Sequence, residues 1–138
     1  EFWTQDIASI IALMDGEVGA TMKADEVKFM DQPTIRSGGA EEFLLRGSPR
    51  GIDHGLHKIA LLLKRAPSAD VSALKKWGAS LPAERVSLDL VEPWTPGWPC
   101  DAIMWLWGEA AVSAPPPGVT MWRELSVSAF ETSPDTRP

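Results

Sequence analysis

After Pro82 the apolar residues of this chain recur at every second position. Val86, Leu88 and Leu90 alternate with Ser87, Asp89 and Val91, and farther on Ile103, Trp105 and Trp107 alternate with Met104 and Leu106. A period of two sends successive side chains to opposite faces of an extended chain, so this half of the protein is committed to β-sheet. The first run has one buried face. The second is apolar on both faces, which predicts a strand central in its sheet. Trp122, Leu125, Val127 and Ala129 read as a third strand after the stiff connector Pro115-Pro116-Pro117-Gly118. Three consecutive strands with turn-rich links predict an antiparallel meander.

Before Pro82 the period is closer to four. Ile7, Ile10, Ile11 and Met14 follow a possible cap at Thr4 and precede Gly16, which predicts an amphipathic amino-terminal helix ending there. Val27, Phe29 and Pro33 read as a short extended piece, Ser37-Gly38-Gly39 as a loop, and Glu41 to Arg46 as either helix or strand. Asp53 is a suitable N-cap for a helix to about Arg65, with Leu56, Ile59, Ala60 and Leu63 on one face and Lys64 and Arg65 where the helix dipole favours cations. Pro67 would stop it, Ser68 would cap a second helix through Val71 and Leu74, and Gly78 would end that one. The expected class is α+β: an antiparallel sheet of three to five strands packed against an N-terminal helix and a central helical hairpin. One domain over 1–138 is expected, with a mainly helical layer at 1–82, the strand meander at 83–131 and a Ser/Thr/Pro-rich tail at 132–138.

Composition bounds the class. At 138 residues, 44% hydrophobic and 23% charged, the chain is of ordinary globular make-up. Its apolar runs, such as Ile59 to Leu63, fall far short of the ~20 residues that cross a bilayer, so no membrane span is expected. The single Cys100 cannot form an internal disulfide, and a reducing cytoplasm is the default compartment. The chain begins at Glu1 and reads as a trimmed form, so any leader lies outside it. Net charge is −6, yet Arg46 to Lys76 holds seven basic residues against two acids. Such asymmetry can recruit an anionic partner, but a basic layer beside an acidic sheet is the plainer reading, and nucleic-acid binding is not expected.

Seven tryptophans and no tyrosine carry the functional signal. Trp combines the largest apolar side chain with one N–H donor, so a cluster marks either an aromatic core or a gripping surface. Trp105 and Trp107 share a strand face, where core packing is the simpler role. Trp94 and Trp98 sit in Pro93-Trp94-Thr95-Pro96-Gly97-Trp98-Pro99, a loop with little conformational entropy left to lose, where aromatic residues serve as binding anchors.

Other candidates are weaker. His54 and His57 stand three apart at the start of the expected helix with Asp53 adjacent, a spacing compatible with a metal pair that Asp101 or Glu109 would complete, but it lacks the His-Glu-x-x-His pattern. No metal and no cofactor are expected. Cys100 reads as a small buried hydrophobe rather than a nucleophile. Ser48-Pro49-Arg50-Gly51 precedes an expected helix N-terminus and could cradle a phosphate, without P-loop spacing. Asp89 with Glu92, or Asp25 with Glu26, reads as exposed carboxylates.

The expected function is therefore a non-enzymatic binding, adaptor or assembly-subunit protein. It would engage another protein chain, or a second copy of itself, through the Trp94/Trp98 loop and an acidic sheet rim. The alternative is a small-ligand domain or small hydrolase with an apolar pocket between sheet and helices, lined by Trp105, Trp107, Trp122 and Met104.

Overall fold

The run from His57 to Arg65 satisfies two patterns at once: a helical stripe, and a strand covered on both faces. In the computed structural model of the protein it is a strand. The structure describes residues 6–34, 36, 38–49, 57–108 and 110–128. Among these residues are five strands: β1 (Gly38–Arg46), β2 (His57–Arg65), β3 (Arg85–Pro93), β4 (Ala102–Trp107) and β5 (Val119–Ser128). They form one sheet in the order β1-β3-β4-β2-β5 with every neighbouring pair antiparallel. Helices α1 (Ile7–Asp15) and α2 (Glu17–Glu26) precede the sheet, and α3 (Val71–Ser80) connects β2 to β3. The class is α+β with an antiparallel sheet, and it has a helix at the amino end and a pair of consecutive helices.

That pair is α1 and α2, not the central hairpin expected from Asp53 to Gly78. Only the second arm of the central hairpin, α3, is helical. Residues 1–82, expected to be mainly helical, contribute two strands. The reason lies in β2, which sits between β4 and β5 and has neighbours on both edges, so its inner residues are apolar without alternation. With Ile59 its one β-branched residue among Leu and Ala, the run carries little signal to separate it from a helix. The same insertion breaks the expected meander, because β5 pairs with β2 rather than with β4. Gly38 and Gly39, expected as loop, open β1, while Val27 and Phe29 follow α2 in a turn rather than a strand.

The chain gathers into two compact units, Glu1–Arg36 and Ser37–Pro138. In the first, the Asp6 carboxylate caps α1 by accepting from the Ser9 backbone N–H at 3.2 Å and from its hydroxyl, and those bonds hold the Asp6 carboxyl below its ordinary range. Gly16 ends α1 as expected, its N–H donating to Leu13 O. The Thr4 cap and the tail at 132–138 lie outside the described residues.

In the second unit, register builds the core. Phe43, Leu88, Met104 and Leu61 lie directly across from one another on β1, β3, β4 and β2, and all face α3. Leu74 of α3 is fully buried against this row. Asp70, not Ser68, caps α3, accepting from Ser72 N at 2.8 Å. Gly78 is inside α3 rather than at its end. A Cβ there would stand 2.6 Å from both Leu45 Cδ1 and Met104 Cε, so glycine lets the helix settle onto the sheet.

Truncating Leu61 to Ala should cost about 2–5 kcal/mol in urea unfolding. Leu62→Ala, on the less covered opposite face, should cost clearly less; equal losses would contradict this alternation.

Candidate functional site

The face of the sheet turned away from α3 carries different chemistry. Its residues form three cross-strand rows. Arg85, Trp107, Lys58 and Val127 make the first, Leu44, Ser87, Trp105, Ala60 and Leu125 the second, and Glu42, Asp89, Ile103, Leu62 and Arg123 the third. Arg85, Ser87, Asp89 and Lys58 are all buried. Charges out of water need compensation, and here aromatic rings supply part of it. The Arg85 guanidinium lies 3.8 Å from the Trp107 ring centroid, and Lys58 Nζ lies 4.5 Å from Trp105 and 5.5 Å from Trp107. Each contact is worth roughly 1–2 kcal/mol when desolvated. Trp105 Nε1 in turn donates to Asp89 Oδ2 at 2.7 Å.

Ser87 stands in the middle row, 1% exposed, and its hydroxyl finds no hydrogen-bond partner among the described residues. A buried hydroxyl left unsatisfied costs about 1–3 kcal/mol, so it calls for an explanation. Beside it lies an open cavity of about 220 Å³ lined by Glu42, Leu44, Pro49, Arg85, Ser87 and Trp107.

The tryptophans are thus divided by position. Trp107 is buried and walls the cavity, and Trp105 is half-buried on the same face. Met104, expected to share a pocket with them, points the other way, toward Gly78 of α3. Trp122 is exposed on the edge strand β5, with Lys64 Nζ 5.9 Å from its ring. Trp94 and Trp98 part company. Trp98 is half-buried beside Cys100, whereas Trp94 is 51% exposed. The Trp94 ring is seated at the start of β1, where a Cβ on Gly39 would come within 3.0 Å of it.

The remaining candidates fall out differently. His57 opens a strand rather than a helix, is exposed, and its Nε2 lies 2.8 Å from Ser126 Oγ. His54, Asp53, Arg50, Gly51 and Glu109 lie outside the described residues. Among the described residues no three His, Cys, Asp or Glu side chains gather as a metal site would require. With 57–65 extended, Ser48 and Pro49 do not lead into the expected helix. Asp101 accepts from the Arg65 backbone N–H at 2.8 Å and so joins the ends of two strands. Asp89 and Glu92, three apart on β3, project to opposite faces, and Asp25 pairs with Lys28 at 2.8 Å. Cations of the basic segment are dispersed: Lys58 sits over Trp105, Lys75 lies 3.2 Å from the Phe43 centroid, and Arg46 donates to Leu81 O at 3.0 Å. None of the described helices is long and apolar enough to cross a membrane.

Glu42, Lys58, Arg85 and Ser87 are functional candidates that periodicity alone did not single out. The alternation of Ser87 and Asp89 against Val86 and Leu88 put them on one face, but only the register shows that this face meets Trp105 and Trp107.

Replacing Trp105 by Phe removes a donor from the buried Asp89 and should cost about 1–3 kcal/mol in chemical denaturation; an unchanged midpoint would mean the bond contributes nothing. Burial pushes the Cys100 thiol above its ordinary range. The unfolded thiol therefore ionises first, so its contribution to stability is intact below the unfolded value and falls as pH rises above about 9. Labelling by a thiol reagent at pH 8 should be slow in the folded protein and fast in urea, and equal rates would place Cys100 at the surface.

No family model, no curated protein and no solved structure matches this chain, so its function is read from its own geometry.

Proposed function

We propose that the protein is a non-enzymatic binding domain that engages another protein chain along the β1 edge of its sheet, with Trp94 as the anchor. The observation that carries this reading is the placement of Trp94: half exposed, held against Gly39, on a loop stiffened by Pro93 and Pro96. An exposed tryptophan fixed in position loses little entropy on burial by a partner, which is what a binding hot spot needs. Trp98 is the support of this loop rather than a second anchor.

The surroundings suggest the partner's chemistry. β1 is the terminal strand of the sheet, and among the described residues no strand pairs with its outer edge. Glu41 of β1 and Glu92 of β3 are exposed next to the Trp94 seat, since Gly39 pairs with Glu92. An extended segment with basic side chains alternating with apolar ones would add to this edge through its backbone, place a nonpolar group on Trp94 and match the carboxylates.

A random-peptide display screen against the folded chain should return such a basic, alternating consensus. The selected peptide should bind Trp94→Ala at least about 30-fold more weakly, the effect of losing a hot spot of about 2 kcal/mol. Trp94→Ala should leave the unfolding midpoint nearly unchanged, while Trp98→Ala should lower stability by about 2 kcal/mol, less than the ~3–5 of a fully buried tryptophan. Peptides without basic character, or equal affinity for the Trp94 variant, would defeat the reading.

A further inference from the structure

On the other face of the same strands, the geometry points to a second and separate site: the cavity bounded by Glu42, Leu44, Pro49, Arg85, Ser87 and Trp107 binds a small zwitterion, a molecule carrying one carboxylate and one ammonium group on a short apolar frame, as a free amino acid does.

Size sets the first limit. A volume of about 220 Å³ equals the share of about seven waters at ~30 Å³ each, too small for a nucleotide or a drug-sized ligand and adequate for a molecule of a few carbons. Charge sets the second. The rows order the face from basic to acidic along β3: Arg85 first, Ser87 in the middle, Asp89 last, with Glu42 directly across from Asp89 on β1. An anion alone would meet the Glu42 carboxylate, and a cation alone would meet Arg85. A ligand bearing both charges, aligned from one row to the other, satisfies each end.

The polar groups also fit. The Arg85 guanidinium carbon lies 3.8 Å from the Trp107 ring centroid at the cavity wall, and a guanidinium carries five N–H donors in a fixed fork. A carboxylate approaching edge-on would meet it in the geometry that guanidinium groups favour. Ser87 lines the cavity with a buried hydroxyl that no described residue satisfies, and a small rotation of that side chain would let it donate a hydrogen bond to the same carboxylate. Leu44 and Pro49 offer apolar walls to the carbon frame between the charges. A ligand is thus what the orphaned Ser87 hydroxyl is placed to meet.

The test uses the full chain and defined probes: glycine, L-proline, L-leucine and γ-aminobutyrate, each at up to 10 mM, against acetate and n-butylamine as the single-charge halves. Binding is read by saturation-transfer NMR and by the shift in melting temperature. At least one zwitterion should bind while both halves fail. Ser87→Ala should weaken that binding tenfold or more and yet raise the melting temperature of the ligand-free protein, because it removes an unsatisfied buried hydroxyl. A serine without a role in binding would give the higher melting temperature but leave the affinity unchanged. Glu42→Gln, at an exposed position, should weaken the zwitterion tenfold while the fold is unaffected. The proposal is overturned if no zwitterion binds, if acetate binds as well as the zwitterions do, or if Ser87→Ala leaves affinity unchanged.

Discussion

The six residues of β4 hold the sheet's two chemistries apart and together. Met104 and Leu106 project into the α3 side, where the buried apolar core lies, while Trp105 and Trp107 project to the side where Lys58, Arg85 and Asp89 are gathered. A strand with its neighbours paired on both edges cannot be rotated, and a slip of one residue would send both tryptophans into the helix layer and the core residues into the charged face. Such a slip would leave three buried charges without their rings and α3 without its floor. The register of β4 is therefore the constraint from which core, cavity and cation–ring stack all follow.

Those two faces are stabilised by different physics. The α3 side is a shape problem, solved by glycine at position 78 and by side chains that fill the space under the helix. The opposite side is an electrostatic problem. Two cations are brought out of water, and indole faces supply part of the compensation while the Trp105 N–H donates to the Asp89 carboxylate, contacts that accept a charge without demanding the strict geometry of a buried salt bridge. That leniency leaves room for an unfilled volume and for one hydroxyl with nothing to bind.

Much of this was readable from residues alone, and the failures have definite causes. The strands at 85–93 and 102–107 announce themselves because Val, Ile and Trp alternate with polar or opposite-facing residues, and Asp70 with Val71 and Leu74 marks α3. Strand β2 hides, because a fully flanked strand built mostly of Leu and Ala, with Ile59 its one β-branched residue, lacks alternation, and its basic end mimics a helix terminus. Helix α2 hides for the converse reason: Glu17–Glu26 has no continuous apolar stripe, and its one buried residue is Gly19. The tryptophans were visible as a signal but not as a division of labour, since whether Trp94 or Trp98 faces outward depends on Gly39, far away in sequence. The polar face was the least legible. Arg85, Ser87 and Lys58 look like ordinary strand polar residues until antiparallel pairing brings them beside Trp105 and Trp107.

The register irregularity in β1 between Leu44 and Arg46 bears on how an edge can be both open and safe. A bulge adds twist and breaks the run of evenly spaced backbone groups that a flat edge presents. It divides β1 into a regular stretch from Gly38 to Leu44 and an irregular end at Arg46, after which Gly47, with φ of +87°, ends the strand. Two copies of the protein sliding past one another would find no uninterrupted ladder along the strand, so unregulated sheet extension is disfavoured. A visitor of about seven residues, halted at the bulge, would be aligned in a single register.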